Sequence, residues 1–342
     1  MENIKIDGFE NIYKYHDKKS GLTAYISIHN SKLGPALGGT RFYPYLNEQE
    51  AIDDVLNLSK SMTYKCSIAG IRHGGGKGVI MGDPAKDKNK NLLKSYAEFI
   101  DKLQGSFYTG EDVGLTESDV QYMLTVSPFF IGKSNQAGDP SEYASLSVYK
   151  LMKAGAQKIF GTESLAGKKI GIKGLGKVGL GLMKLLSVEK AIIIGTDLDK
   201  NALLRAKALY PSLQVISAEQ ILSTEMDIYA PCALGNEFTL ENVSHLKARL
   251  ICGGANNQIL EKGVNAKLYS KNILYIPDYL ANAGGLINVA DELEESGYSH
   301  DRVIQRIENL VETFEQLYKE SVKNKKTLLE ICNTCAEGRL VL

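Results

Sequence analysis

The run KKIGIKGLGKVGLG, beginning at Lys168, contains the spacing Gly174-x-Gly176-x-x-Gly179. A short apolar stretch, 169–173, precedes it and a helical stretch to Leu186 follows. Glycine pairs are common in turns, so the spacing is weak evidence alone; between a strand and a helix it reads as a dinucleotide fingerprint. Gly174 makes the tight turn, Gly176 lets backbone approach a pyrophosphate, and Gly179 lets helix and strand pack closely. Leu175, Lys177 and Val178 complete the turn and open the helix, whose unpaired N–H groups suit phosphate. The next strand, AIIIGTDLD, ends at Asp197, 18 residues beyond Gly179. An acid there accepts hydrogen bonds from ribose hydroxyls and repels a 2′-phosphate, and Leu198 offers no arginine to replace it, so NAD is expected over NADP. The competing reading is a glycine-rich turn in a purely structural βαβ unit.

The surroundings favour the first reading. Beyond residue 160, short apolar runs at 169–173, 191–196, 214–216, 228–230, 249–252 and 274–276 alternate with helical stretches. This is the pattern of a parallel sheet covered by helices. The tail from Asp301 is mostly helical, with Val303, Ile307, Leu310, Phe314 and Leu317 as its apolar stripe. Ahead of this half, 22–30 alternates like a strand, 48–63 follows Asn47 and Glu50 as an amphipathic helix, and 93–103 and 117–124 read as helices. The 342 residues suggest two domains. The segment 134–147, SNQAGDPSEYASLS, is rich in breakers and reads as an interdomain loop.

Composition narrows the classes of function. Forty basic and forty acidic residues cancel without a basic stripe, which disfavours a nucleic-acid partner. There is no apolar run long enough to span a membrane and no signal-peptide pattern, so the expected compartment is the cytoplasm. Five cysteines at irregular spacing argue against a disulfide framework. Cys332 and Cys335 form a lone CxxC, better read as two small residues on one helix face than as half a zinc site, and five scattered histidines add no ligand pattern; no metal is expected.

A second dense signal lies in MTYKCSIAGIRHGGGKGVIMGDP. Lys65 ends the amphipathic helix. Lys77 follows three glycines, Gly74–Gly76, whose missing side chains would let a small substrate or the nicotinamide come close. Lys77 also opens an apolar run, and burial disfavours a charged amine, which suits a base near neutral pH. Lys65 suits pairing with a substrate carboxylate. The alternative is that both lysines are solvated. In TGEDVGL, Asp112 is either a proton shuttle or a helix cap.

Taken together, these segments resemble the Glu/Leu/Phe/Val dehydrogenases, nearest the leucine branch. The resemblance rests on GPALGGTRFYPY (34–45), MTYK (62–65), GGGKGVI (74–80), EDVG (111–114), GLGKVG (174–179), DIYAPCALG (227–235), ANNQ (255–258) and PDYLANAGGLINVADE (277–292). It implies an α/β protein of two domains separated by a deep cleft: an N-terminal substrate and oligomerisation domain (1–136) and a C-terminal Rossmann-type NAD-binding domain (137–317). A C-terminal helical segment (318–342) would pack back on the first domain. It further implies a homo-oligomer and NAD-dependent oxidative deamination of an L-amino acid to the 2-oxo acid and ammonium. Lys65 would bind the carboxylate with help from Gly38 and Gly39, Lys77 would activate water, and Asp112 would move protons at nitrogen. Asn256 and Asn257 would lie near nicotinamide and substrate; Pro231, Cys232 and Ala233 would line the cofactor cleft.

The family's side-chain pocket maps to Leu37, Gly110, Leu286 and Val289. None is charged, which disfavours glutamate. Leucine enzymes usually carry Ala at the Gly110 position and Val at the Leu286 position; Gly with Leu looks more like the phenylalanine and tryptophan enzymes. Gly110 removes a methyl from the wall and would admit a ring. A methylene is worth only about 1–3 kcal/mol in such a pocket, so leucine or another branched-chain residue stays first and an aromatic amino acid second. One segment departs from the family. Its P-x-T-A-x-G hinge is matched by 142–147, with Ala144 in place of Thr and Ser147 in place of Gly. The departure leaves room for a divergent enzyme of secondary metabolism or an NAD-binding regulatory protein.

Overall fold

The computed structural model describes residues 1–341, which fall into two compact units. The first comprises Met1–Pro140, Leu286–His300 and 336–341; the second comprises Ser141–Gly285 and Asp301–Cys335. These divisions differ from the expected ones at 136, 317 and 318. The segment 286–300 belongs with the first unit, and 318–335 with the second. Polar links such as Glu292 to Gly132 tie 286–300 to the first unit across more than a hundred positions, and periodicity carries no trace of them.

In the first unit the chain runs β1 (Glu2–Ile4), β2 (Asn11–Asp17), β3 (Leu22–Asn30), β4 (Ala36–Leu37), β5 (Thr40–Tyr43), α1 (Glu48–Ile68), β6 (Gly74–Met81), α2 (Lys90–Asp101), β7 (Phe107–Tyr108) and α3 (Glu117–Leu124). The sheet order is β1-β2-β3-β6-β4-β7, with β5 also paired to β6. β1, β2, β3 and β6 run antiparallel, whereas β4 and β5 lie parallel to β6. Asn47 caps α1 by accepting from the Glu50 N–H. The helix continues five residues beyond the expected Thr63, so Lys65 lies inside its last turn. It stops where Gly70 takes φ +68°, a left-handed conformation that glycine adopts without strain.

Strand periodicity sorts β6 into two faces. Tyr25 of β3 pairs with Val79, and both pack with Ala51 and Val55 of α1. Lys77, two residues away, shares that face, as does its cross-strand partner Ser27, whose hydroxyl meets Ser59 of α1 at 2.8 Å. The opposite face carries Ile80, packed with Ala24, Ile26, Tyr96 and Phe99 against α2. Gly74–Gly76 are therefore interior strand residues, not an open approach for a ligand. A Cβ on Gly75 would stand 2.1 Å from the Thr63 nitrogen of α1, and one on Gly76 would stand 2.7 Å from the Phe107 ring. The glycines make room for protein.

The second unit contains α4 (Ser141–Phe160), β8 (Lys169–Lys173), α5 (Lys177–Val188), β9 (Ile192–Thr196), α6 (Lys200–Leu209), β10 (Gln214–Val215), β11 (Ile228–Pro231), β12 (Leu250–Ile251), α7 (Val264–Ser270), β13 (Leu274–Tyr275) and α8 (Asp278–Ala281). α9 (Gly284–Ala290) begins here and ends in the first unit; α10 (His300–Asn324) and α11 (Leu328–Val341) follow. The sheet is wholly parallel, in the order β10-β9-β8-β11-β12-β13. Numbered within the unit this is 3-2-1-4-5-6, the doubly wound Rossmann order. Val303, Ile307, Leu310, Phe314 and Leu317 of α10 are buried, as the stripe predicts. Cys332 and Cys335 are free thiols on α11. No helix among the described residues is long and apolar enough to cross a membrane.

The expected loop at 134–147 is half helix, because α4 starts at Ser141. Its serines find partners that a helix supplies. The Ser145 hydroxyl lies 2.7 Å from the Ser141 carbonyl and 2.9 Å from that of Val178, and Ser147 donates to the Ala281 carbonyl at 2.8 Å. Breaker composition misreads such a segment, since satisfied hydroxyls are tolerated inside a helix.

If the α1–β6 contact is as tight as this, Gly75→Ala should lower the unfolding free energy by about 1–3 kcal/mol, since the obstacle is backbone. Gly338→Ala, inside α11 where a Cβ meets nothing within 4 Å, should instead stabilise by up to about 1 kcal/mol. Urea titrations that place both midpoints together would refute the packing assignment.

Candidate active site

In the first unit, Lys77 comes from the middle of β6 and Asp112 from the loop after β7. Lys77 Nζ donates to Asp112 Oδ2, with side chains only 5% and 16% exposed. The second carboxylate oxygen accepts from the Val113 N–H at 2.7 Å. The helix-cap alternative for Asp112 is thereby resolved, because α3 is capped by Thr116 through a capping box with Asp119. Burial works to raise the Asp112 carboxyl, but the charges of Lys77 and Arg41 and the hydrogen bonds it accepts outweigh it. The group is held well below the usual carboxylate range, and it is ionised at neutral pH.

Arg41 was not singled out from the sequence. It lies on β5 opposite Val79, hence on the α1 face, and its Nη1 binds Asp54 of α1 at 2.9 Å. Its signal was a charged residue at an inward position of a short apolar strand. Lys65 is buried, 7% exposed, near the C-terminus of the same helix. Gly38 and Gly39 follow β4. A Cβ on Gly38 would stand 1.9 Å from the Gly76 carbonyl oxygen and 3.2 Å from the Met62 side chain; one on Gly39 would stand 3.1 Å from Asp112 Cβ. These glycines are thus wedged between β6, α1 and the loop of Asp112.

Leu37 is fully buried on β4, Leu286 is 8% exposed and Val289 half-buried on α9. Gly110 corrects an expectation. The space left by its missing methyl is occupied, since a Cβ there would meet the Ile131 carbonyl oxygen at 2.8 Å and Ile131 Cγ1 at 3.2 Å. No room for a ring opens on that side. Ile131 itself escaped sequence reasoning, because only tertiary structure brings it to Gly110.

In the second unit the glycine turn follows β8, at the point where strand order reverses between β8 and β11. Gly174 has φ +95°, and a Cβ on it would lie 2.5 Å from the Ala233 nitrogen. A Cβ on Gly179 would lie 2.0 Å from the Gly174 carbonyl oxygen. Gly176 differs: nothing lies within 4 Å of its Cβ position, and α5 starts there with no side-chain cap. Lys177 is exposed, Leu175 buried and Val178 half-buried beside Gly254. Asp197 accepts from the Leu175 N–H at 2.6 Å and the Asp199 N–H at 2.8 Å, which fixes the carboxylate at the turn. Leu198 is 86% exposed. An open glycine, uncapped helix N–H groups and a carboxylate at the neighbouring strand end fit a dinucleotide with free ribose hydroxyls.

Cys232 follows β11 and donates its N–H to Lys173 at 2.7 Å; burial pushes its thiol up to about 11. Asn257 has φ +50° and its carbonyl accepts from Asn236 at 2.7 Å. Asn256 Oδ1 accepts from Asn282 Nδ2 at 2.8 Å. Asn282, also missed from sequence, donates to the Gly254 carbonyl at 3.0 Å, which fixes its amide orientation. Its Oδ1 is buried and lacks a donor, a standing acceptor at the end of α8, beside the loop that joins β12 to α7.

Comparisons with known proteins place both halves of the chain in one family. Residues 10–127 match the profile described as Glu/Leu/Phe/Val dehydrogenase, dimerisation domain, and 139–341 match that of glutamate/leucine/phenylalanine/valine dehydrogenase. A leucine dehydrogenase from Bacillus subtilis is 40% identical, covering 97% of this chain and 91% of its own. A valine dehydrogenase from Streptomyces virginiae is 42% identical over 90% and 86%. Among solved structures, L-tryptophan dehydrogenase from Nostoc punctiforme superposes with a TM-score of 0.78 at 35% identity, covering 97% and 96%.

The Lys77–Asp112 pair also sets a pH dependence. The Asp112 carboxyl sits lower folded than unfolded, so its stabilisation is full above about pH 4 and is lost as pH falls further. Asp112→Asn should cost about 3 kcal/mol at neutral pH, because Lys77 is left buried without its anion. Denaturation of both proteins should show the gap narrowing below about pH 4. A gap that is constant or widens on acidification would contradict the assignment.

Proposed function

Since the chain belongs to the Glu/Leu/Phe/Val dehydrogenase family, we propose that it oxidises a branched-chain L-amino acid, leucine foremost, with NAD. The reaction is L-amino acid + NAD⁺ + water ⇌ 2-oxo acid + ammonium + NADH + H⁺. The observation that carries the reading is the buried Lys77–Asp112 pair beside Gly38 and Gly39. When bound, NAD supplies the acceptor for the hydride that leaves Cα.

The chain's own groups do the rest. Lys65 pairs with the substrate carboxylate, and backbone at Gly38–Gly39 completes that grip. Asp112, held ionised, takes a proton from the substrate ammonium, so that nitrogen has a lone pair to support loss of hydride. Once Asp112 is protonated, Lys77 has lost the anion that keeps it charged and releases its proton, the H⁺ of the overall reaction; as the free amine it takes a proton from the water that attacks the imine carbon, and Asp112 returns its proton to the departing nitrogen. Because Lys77 donates to Asp112, protons can pass between the two without bulk solvent. In the other unit, the Gly176 backbone and the start of α5 receive the pyrophosphate, and Asp197 receives the ribose hydroxyls and disfavours a 2′-phosphate. Leu175, Lys177, Val178, Cys232, Ala233 and Asn256 border the same site, and the free Oδ1 of Asn282 suits a carboxamide N–H.

Leu37, Gly110, Leu286 and Val289 line the side-chain pocket in this reading. Ile131 fills the space behind Gly110, which supports a branched-chain substrate over an aromatic one. Assembly as a homo-oligomer through the first unit, and action in the cytoplasm, belong to the same reading.

NADH formation should appear with leucine or valine ahead of phenylalanine and tryptophan, and with NAD well ahead of NADP. Lys77→Ala should reduce turnover by about 10²–10⁴-fold while NAD binding persists. Intact NAD binding without turnover of any amino acid would defeat the enzymatic reading; a best rate on an aromatic would replace only the substrate.

A further inference from the structure

Glu292 is a buried acid that the reaction above does not use. It lies on the 3-10 turn Asp291–Leu293 just after α9 and is 8% exposed. Its carboxylate faces three backbone N–H groups of one turn. Oε1 accepts from Lys133 at 2.8 Å and Ala137 at 3.0 Å, and Oε2 accepts from Gly132 at 3.1 Å. Asn288, on α9, donates to the Ala137 carbonyl at 2.8 Å and accepts from the Tyr298 hydroxyl at 2.9 Å. Hydrogen bonds to a carboxylate are the strong kind, and a buried acceptor that loses them is costly.

The turn so gripped begins immediately after Ile131. That residue donates to the Thr109 carbonyl at 2.8 Å and backs Gly110. The grip itself comes from the segment that carries Leu286 and Val289. Glu292 and Asn288 therefore tie one wall of the side-chain pocket, Ile131 with Gly110, to another, α9.

We propose that Glu292 is a positioning residue that sets amino-acid selectivity by fixing the turn at 132–137, and with it Ile131, relative to Leu286 and Val289. The proposal rests on the reading of these residues as the side-chain pocket of an amino-acid dehydrogenase. Gln at this position turns an NH₂ toward a backbone N–H and breaks the grip, whereas Asp keeps the charge on a shorter arm.

The test compares full-length wild type, Glu292→Gln and Glu292→Asp with L-leucine, L-valine and L-phenylalanine, alongside hydrogen exchange of the turn amides. For Glu292→Gln we expect KM for the preferred amino acid to rise about tenfold, the scale of one methylene of lost fit. Its preference among the three substrates should shrink by a similar factor, while kcat and the KM for NAD stay within about twofold. Amides of Gly132, Lys133 and Ala137 should exchange faster, and Glu292→Asp should recover part of the selectivity. Unchanged selectivity, or an equal fall of kcat on every substrate, would overturn the proposal. Should Glu292→Gln not fold, Glu292→Asp and Asn288→Ser carry the same comparison. A wild type that turns over no amino acid overturns the functional reading and this inference with it; an active wild type with indifferent variants overturns this inference alone.

Discussion

Helix α1 lies so close to strand β6 that no side chain fits between Thr63 and Gly75, and that approach organises the first unit. It fixes which residues of β6 look toward the helix. With a period of two, Gly75 on that face puts Lys77 there as well, and cross-strand pairing adds Ser27 and Arg41. Two cations are thus enclosed on one side of the sheet. Arg41 is neutralised by Asp54 from the helix and Lys77 by Asp112 from the loop after β7. Burial of so much charge is tolerable only with partners in place, and here the pairing leaves Lys77 and Asp112 joined as a buried ion pair.

The second unit uses glycine differently. At Gly174 and Gly179 the missing Cβ again makes room for neighbouring backbone, which pulls the turn against the chain after β11 and against the start of α5. At Gly176 the missing Cβ leaves open space. Within six residues, two glycines make room for neighbouring backbone and one is left clear, the position that the proposed reading gives to a phosphate. Asp197 braces the turn, because its carboxylate accepts from the Leu175 N–H, and in the proposed reading it also meets the ribose hydroxyls.

Much of this was legible beforehand. The parallel sheet, the glycine turn and its acid follow from local order along the chain, and the strand at 22–30 and the helix from Glu48 follow from periodicity. What periodicity cannot convey is proximity. Gly74–Gly76 looked like a passage for a ligand because the sequence does not show Thr63 and Phe107 pressing on them. Gly110 looked like a vacancy because Ile131 is 21 residues away. The segment 141–147 has the composition of a loop, because a sequence shows its serines but not the carbonyls that satisfy them. Arg41, Asn282 and Glu292 share one trait: each is a polar group in an apolar stretch whose meaning depends on a partner far along the chain.

In the proposed reading, hydride leaves the Cα of an amino acid held beside Lys77 and Asp112. L-leucine carrying deuterium at Cα tests it most directly, with the reduced cofactor analysed by mass. The deuterium is expected in NADH, and kcat/KM should fall relative to unlabelled leucine. NADH formed without the label, or labelled leucine left unconsumed while NAD is bound, would contradict it.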